Sequence, residues 1–219
     1  MHQHEIDVVF LIADLSGYTA LTEAHGGIEA ARIVTKYVGL AQQALASGAR
    51  LVERVGDEVL VVADTAAGAA QTAIRIREAV EKELLFPGVR VGIHGGRVVE
   101  QEGRYFGPAL NLTARVAAHA HEGQVLCTDR IAFALNSHRD LACRSLGMVR
   151  FKNVPEPVGI HEVVPRTRPV EPRYIDPVCR MQVRPETAPA RMPYGSATYY
   201  FCSFECAKTF IDRPDSYVE

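Results

Sequence analysis

The stretch 51–62, LVERVGDEVLVV, decides the fold. Val52, Val55, Val59 and Val62 read as the inside of a sheet, while Glu53, Arg54, Asp57 and Glu58 interrupt them around a Gly56-Asp57 pair. A Gly-Asp pair between two valine-rich runs is where a chain turns back on itself, so the segment reads as a hairpin of strands 50–55 and 58–63. Upstream, DVVFLIAD (7–14) is a buried strand ending in an acid, and GYTALTEAHG (17–26) leads away through a short helical turn. From 28 to 46, Ile33, Tyr37, Leu40 and Ala44 recur with helical period. Downstream, Ala69, Ala73, Ile76 and Val80 share one helical face. VRVGIHGGRVV (89–99) alternates as a strand, a turn follows, and a helix opens at Pro108, a residue suited to a first helical position. Short strands and a helix near 129–136 complete the run. The order β-α-β-β-α-β-(β)-α-β predicts an α+β sandwich built on a ferredoxin-like βαββαβ unit.

VPRTRPVEPR (164–173) has three prolines and no apolar period, and reads as a linker to a short cysteine-bearing module. The expected organisation is a catalytic domain over 1–164, a Pro-rich linker over 165–173 and a small module over 174–219. A net charge of −2 gives no support for a nucleic-acid or anionic-membrane surface. The longest strongly apolar run, VVFLIA (8–13), is too short to span a bilayer, and MHQHEID lacks the pattern of a signal peptide. The expectation is a cytoplasmic protein without nucleic-acid or membrane partners. Cys127 and Cys143 sit alone in apolar surroundings and read as reduced, buried small hydrophobes.

Two acids carry the chemistry. Asp14 ends the first strand and Asp57 sits at the hairpin tip. In a βαββαβ sheet the first and third strands are neighbours, so the two carboxylates can converge, and they repel unless a cation sits between them. Such hard oxygen ligands suit Mg²⁺ or Mn²⁺, and two ions could clamp a phosphoryl transfer. The loop Leu15-Ser16-Gly17-Tyr18-Thr19 offers backbone N–H groups at a helix entry, where phosphate oxygens can be held. Asn111 and Arg115, four apart on a helix, share a face and could hold a ribose and a developing phosphorane charge. Read alone, that pair is an exposed helix face with an ordinary arginine.

FLIADLSGYTALTE, VERVGDEVLVV, VRVGIHGGRVV and YFGPALNLTARV, in this order and spacing, resemble the signature blocks of class III nucleotide cyclase catalytic domains, the adenylate and guanylate cyclases. The resemblance covers residues 6–164. It implies a homodimer acting on ATP or GTP, with active sites at the interface. Asp14 and Asp57 of one subunit would hold two Mg²⁺ or Mn²⁺ with help from the Leu15 carbonyl. Asn111 and Arg115 of the other would orient the ribose and stabilise the transition state. It also places Glu53 and Arg104 at the base-reading positions. Glu53 can accept from guanine N1–H and the 2-amino group, and Arg104 can donate to O6, which favours GTP; adenylate cyclase is the commoner activity among bacterial relatives, which favours ATP. Alternatively the two residues pair with each other and read no base. In that second reading, the chain is a weak or inactive cyclase-like binding and dimerisation module with a metal or thiol sensor tail.

DPVCRM (176–181) and YYFCSFECAKTF (199–210) resemble a YHS domain, related to TRASH-type metal-binding modules. Cys202 and Cys206 lie one helical turn apart, with Cys179 arriving from a knuckle. Three sulfurs suit Zn²⁺ or Cu⁺. No histidine follows His161, so a fourth ligand is expected from Asp176, water or another molecule. The competing reading is an aromatic core of Tyr199, Tyr200, Phe201 and Phe210 with the cysteines reduced and empty.

Overall fold

The structure, a computed structural model, describes residues 4–166 and 174–218. In the first part the chain runs β1 (His4–Leu15), α1 (Tyr18–Gln43), β2 (Ala49–Val55), β3 (Glu58–Ala63), α2 (Ala66–Lys82), β4 (Val89–Gln101), β5 (Arg104–Phe106), α3 (Pro108–His119), β6 (Val125–Thr128), α4 (Asp129–Ala134), β7 (Leu141–Val149) and β8 (Val158–Pro165). The sheet order is β2-β3-β1-β4-β6-β8-β7, with β5 paired to β4. Its first four strands have the ferredoxin-like arrangement, with β1 between β3 and β4, antiparallel to both.

Alternation along β1 divides the core. Leu11, Ala13 and Leu15 face α1 and α2, where Leu21, Tyr37, Ala41, Ala69 and Ala73 are buried. Val8, Phe10 and Ile12 face α3, meeting Ala109 and Ala117. Burying an apolar side chain of this size contributes about 1.5–3 kcal/mol, so both faces are committed. The expected helix over 28–46 is longer and starts earlier, at Tyr18. The short helical turn expected over 17–26 is part of the same helix, which continues across a kink at Gly26 (φ 80, ψ 164). Val164 and Pro165 close β8, and 167–173 of the expected linker lie outside the described residues.

Helix α3 lies directly on β4 because glycine permits it. A Cβ on Gly92 would stand 2.2 Å from the Ala117 nitrogen, and one on Gly96 2.9 Å from the Ala109 Cβ. Gly92→Ala is therefore expected to cost about 1–3 kcal/mol through overpacking and to lift the helix that carries Asn111 and Arg115. A denaturant midpoint equal to wild type would contradict this close contact.

The second part has β9 (Tyr174–Ile175) paired with β10 (Gln182–Val183), β11 (Ala190–Tyr194) paired with β12 (Ala197–Phe201), and α5 (Phe204–Asp212). Phe210 is the centre of its aromatic core, with ring centroids 5.1 Å from Tyr199 and 5.2 Å from Phe201. Val178, Met181 and Val183 belong to the same buried cluster as α1 and α2. Gln182 N donates to Phe86 O at 3.0 Å, and Met181 forms a β-bridge with Pro87. Among the described residues, no helix is long and apolar enough to cross a membrane.

Candidate active site and cysteine cluster

The acids predicted to converge do so. Asp14, next to last in β1, lies opposite Glu58 on β3 and Arg90 on β4. Gly56, with φ 60, closes the β2–β3 turn and leaves Asp57 at its tip. The Asp57 carboxyl lies close enough to Asp14 for the two to influence each other electrostatically. Burial, then the Asp14 charge, push Asp57 up to about 6. Burial, then Asp14, also raise Glu58. Arg90 Nε and Nη2 donate to one Asp14 oxygen at 2.8 and 2.6 Å. Beneath them, Tyr37 is fully buried, and its hydroxyl has no hydrogen-bond partner among the described residues. Burial, then the charges of Asp14, Asp57 and Glu58, hold that hydroxyl well above its ordinary value. Crowded carboxylates of this kind fit a hard divalent cation.

Arg90, Glu58 and Tyr37 were not assigned to the site from the sequence. Arg90 could have been found by writing out the β1–β4 register, which sets it opposite Asp14.

The loop after Asp14 is more constrained than expected. Ser16 is buried, and its amide donates to Gly88 O at 2.8 Å, so it is not free for phosphate. Gly17 caps α1 with φ 76, and Leu21 N bonds Gly17 O at 2.9 Å. The amides of Tyr18, Thr19 and Ala20 precede that first helical bond and remain at the helix N-terminus.

Asn111 and Arg115 lie on α3, opened by Pro108 as expected. Asn111 is exposed, and Arg115 Nη1 donates to the Asn111 carbonyl at 3.3 Å. Among the described residues no hydrogen bond or ion pair joins either to Asp14 or Asp57. Glu53, Asn111, Ile12, Glu58, Leu60 and Leu110 border a cavity of about 150 Å³. Arg104 is exposed on β5, does not border that cavity, and makes no ion pair with Glu53 among the described residues. On β4, His94 Nδ1 meets Thr128 Oγ1 at 2.8 Å, and burial lowers its pKa to about 4.

In the C-terminal part, Cys179, Cys202 and Cys206 are all buried and close together. Ser203 caps α5 by accepting from Cys206 N, placing Cys206 in the first turn. Asp176 is not a ligand here. Its Oδ1 accepts from Val178 N at 2.9 Å and Cys179 N at 3.4 Å, and its Oδ2 from Cys202 N at 2.7 Å. It is fully buried and fastens the two cysteine-bearing loops together. The residue that closes the group is His25 of α1, overlooked because it lies far upstream.

The Adenylate and Guanylate cyclase catalytic domain model matches residues 1–162, and the YHS domain model matches 174–219. An adenylate cyclase of Glutamicibacter nicotianae is 32% identical over 148 residues, covering 63% of this chain and 36% of the relative. One of Streptomyces griseus is 37% identical over 127 residues, covering 58% and 32%. The chain thus spans about a third of the length of these curated relatives. Among solved structures, an adenylate/guanylate cyclase/hydrolase from Silicibacter pomeroyi is 27% identical with a TM-score of 0.66, covering 75% of this chain and 99% of that one. The adenylyl cyclase CyaB from P. aeruginosa has the same TM-score at 19% identity, covering 78% and 100%, and shows a common fold.

Proposed function

This chain belongs to the adenylate and guanylate cyclase catalytic domain family, and on that premise we propose that it converts ATP or GTP to the 3′,5′-cyclic nucleotide and pyrophosphate. The observation that carries this reading is the convergence of Asp14 and Asp57 beside the N-terminus of α1. Asp14, Asp57 and the Leu15 carbonyl would hold two Mg²⁺ or Mn²⁺. Such ions, when bound, lower the barrier by neutralising charge on the triphosphate and on the attacking oxygen. The amides of Tyr18 and Thr19, at the N-terminus of α1, would bind phosphate oxygens. The ribose 3′-oxygen forms a bond to the α-phosphorus, its proton leaves to water, and the bond to the pyrophosphate oxygen breaks. Asn111 orients the ribose, and Arg115 places its guanidinium against charge developing on the α-phosphoryl group.

Asn111 and Arg115 are separate from the acids and lie on an accessible helix face. That arrangement favours a homodimer in which each site takes its acids from one subunit and Asn111 and Arg115 from the other. We assign residues 1–164 to the catalytic domain, 165–173 to a linker and 174–219 to a module that binds and senses metal.

The direct test is incubation of purified protein with ATP or GTP and Mn²⁺ or Mg²⁺, followed by measurement of cyclic nucleotide. A folded dimer that forms neither product would overturn the enzyme reading in favour of a binding and dimerisation module. Glu53, on the cavity rim beside Asn111, is assigned to the base, with Arg104 as its more distant companion. Glu53→Lys replaces an acceptor with a donor, which suits adenine N1 and opposes guanine N1–H. The ratio of ATP to GTP turnover is expected to rise about 5–150-fold, the effect of one buried hydrogen-bond mismatch. An unchanged ratio would remove Glu53 from base selection.

A further inference from the structure

The C-terminal module contains three buried cysteines and no histidine. Cys202 Sγ lies 3.3 Å from Cys179 Sγ and 3.7 Å from Cys206 Sγ. A fourth donor arrives from the catalytic domain. His25 Nε2 is 3.6 Å from Cys202 Sγ and 3.7 Å from Cys206 Sγ, and all four donor atoms lie within 4.8 Å of one another.

These spacings can be compared with what an ion requires. Tetrahedral bonds of about 2.3 Å to sulfur and about 2.0–2.1 Å to nitrogen place neighbouring donors about 3.5–3.8 Å apart. Three of the four measured separations, at 3.6, 3.7 and 3.7 Å, fall in that range, and Cys179–Cys202 at 3.3 Å is slightly inside it. Neither of the alternative uses of these thiols accounts for the histidine. A disulfide would employ two sulfurs and leave one, and all five cysteines are free. An aromatic core needs no imidazole at its edge. Three thiolates and one imidazole are a closed Zn²⁺ donor set.

We propose that His25, Cys179, Cys202 and Cys206 bind one zinc-class divalent ion that joins the C-terminal module to the catalytic domain. The inference rests on reading that module as metal-binding, and it is independent of whether the catalytic domain turns over nucleotide.

The position of His25 gives the site a mechanical consequence. It is the last residue before the Gly26 kink, so it ends the first segment of α1. At the other end of that segment, Arg180 presses on Gly17: a Cβ added there would meet the Arg180 Cβ and Cγ at 2.6 Å. Arg180 also reaches Glu122, whose other oxygen accepts from Gly88 N at 3.2 Å. The module therefore holds residues 17–25 at both ends, and the leading end carries the phosphate-facing amides. Loading the ion fixes the His25 end; removing it leaves the packing around Gly17 and Tyr18 at the other.

The full chain, stripped by chelation under reducing conditions, is titrated with Zn²⁺ and, as a coloured probe, Co²⁺. Wild type is expected to take one ion per chain at this site, with thiolate-to-cobalt charge transfer and the intense d–d bands of four-coordinate Co²⁺. His25→Ala is expected to weaken binding by about 10²-fold or more, since even partners that only orient a ligand are worth about 10–100-fold. It should also shift the d–d bands. Hydrogen exchange at amides 18–25 should slow on Zn²⁺ loading in wild type and stay unchanged in the variant, a comparison that needs no mutation for its first half. If His25→Ala binds with wild-type affinity and spectrum, the shared site is refuted while a cysteine-only site in the module survives. If wild type binds no ion, both fail.

Discussion

Asp57→Asn is expected to remove cyclic-nucleotide formation and, in the presence of chelator, to make the protein slightly harder to melt. The loss of activity follows from deleting one of two carboxylates that would hold the ions. Their charge stabilisation is worth several kcal/mol, so a fall of about 10³-fold or more is expected. The gain in stability follows from electrostatics in the metal-free state. Asp57 stands at about 6 when folded, against an ordinary value of 3.8, because it is partly buried beside Asp14. A carboxyl raised on folding favours the fold while protonated. That contribution is complete below the unfolded value and is lost as pH rises through about 6. Above that pH the wild type carries a second carboxylate beside Asp14, whose charge Arg90 offsets only in part, and the neutral amide relieves the repulsion. Asp57 is only about half buried, so screening keeps the gain below about 1 kcal/mol, or about 1–3 °C in midpoint. The advantage should vanish in acid. A variant that keeps its activity, or that melts below wild type in chelator at neutral pH, would contradict the assignment of Asp57.

Mixing two inactive variants is expected to restore activity. Asp57→Asn and Arg115→Ala each disable every site in their own homodimer. A heterodimer of the two has one site with both lesions and one with neither, if acids and guanidinium come from different subunits. After denaturation and joint refolding, about half the dimers are mixed and half their sites intact, so about a quarter of wild-type activity should return. Arg115→Ala alone is expected to cost about 10²–10³-fold, the range for removing one transition-state donor. A mixture as inactive as its components, with heterodimers demonstrated by mass spectrometry, would place acids and arginine on the same subunit.

Local pattern carried the strands and the acids. The hairpin at 51–62 declared itself through valines around Gly56-Asp57, and β1 through its apolar run, so the approach of Asp14 to Asp57 followed from strand order alone. Features set by pairing between distant segments were harder to read. Arg90 looks like one more polar residue in an alternating strand until the β1–β4 register sets it opposite Asp14. Tyr37 looks like core, and it is core, but its hydroxyl lies near three acids. The turn over 17–26 and the helix from 28 read as separate pieces, whereas one positive φ at Gly26 kinks a single helix and carries it on. Asp176 was weighed as a ligand because no histidine follows His161; three backbone N–H groups claim it instead. His25 could not be paired with cysteines at the far end of the chain by any spacing rule.

The knuckle between β9 and β10 rests on Gly17, Pro87 and Phe86 through contacts as intimate as those inside either part. The module is thus no cassette that can be cut away to ask what remains. A chain ended before Tyr174 would lay bare the seat of Met181 and strip the β-bridge from Pro87, so it would be stickier as well as shorter. Exchanging the module for one from another protein would put a different side chain where Arg180 now packs on Gly17. Point substitutions that leave the seat filled are the sound way to learn what the tail does.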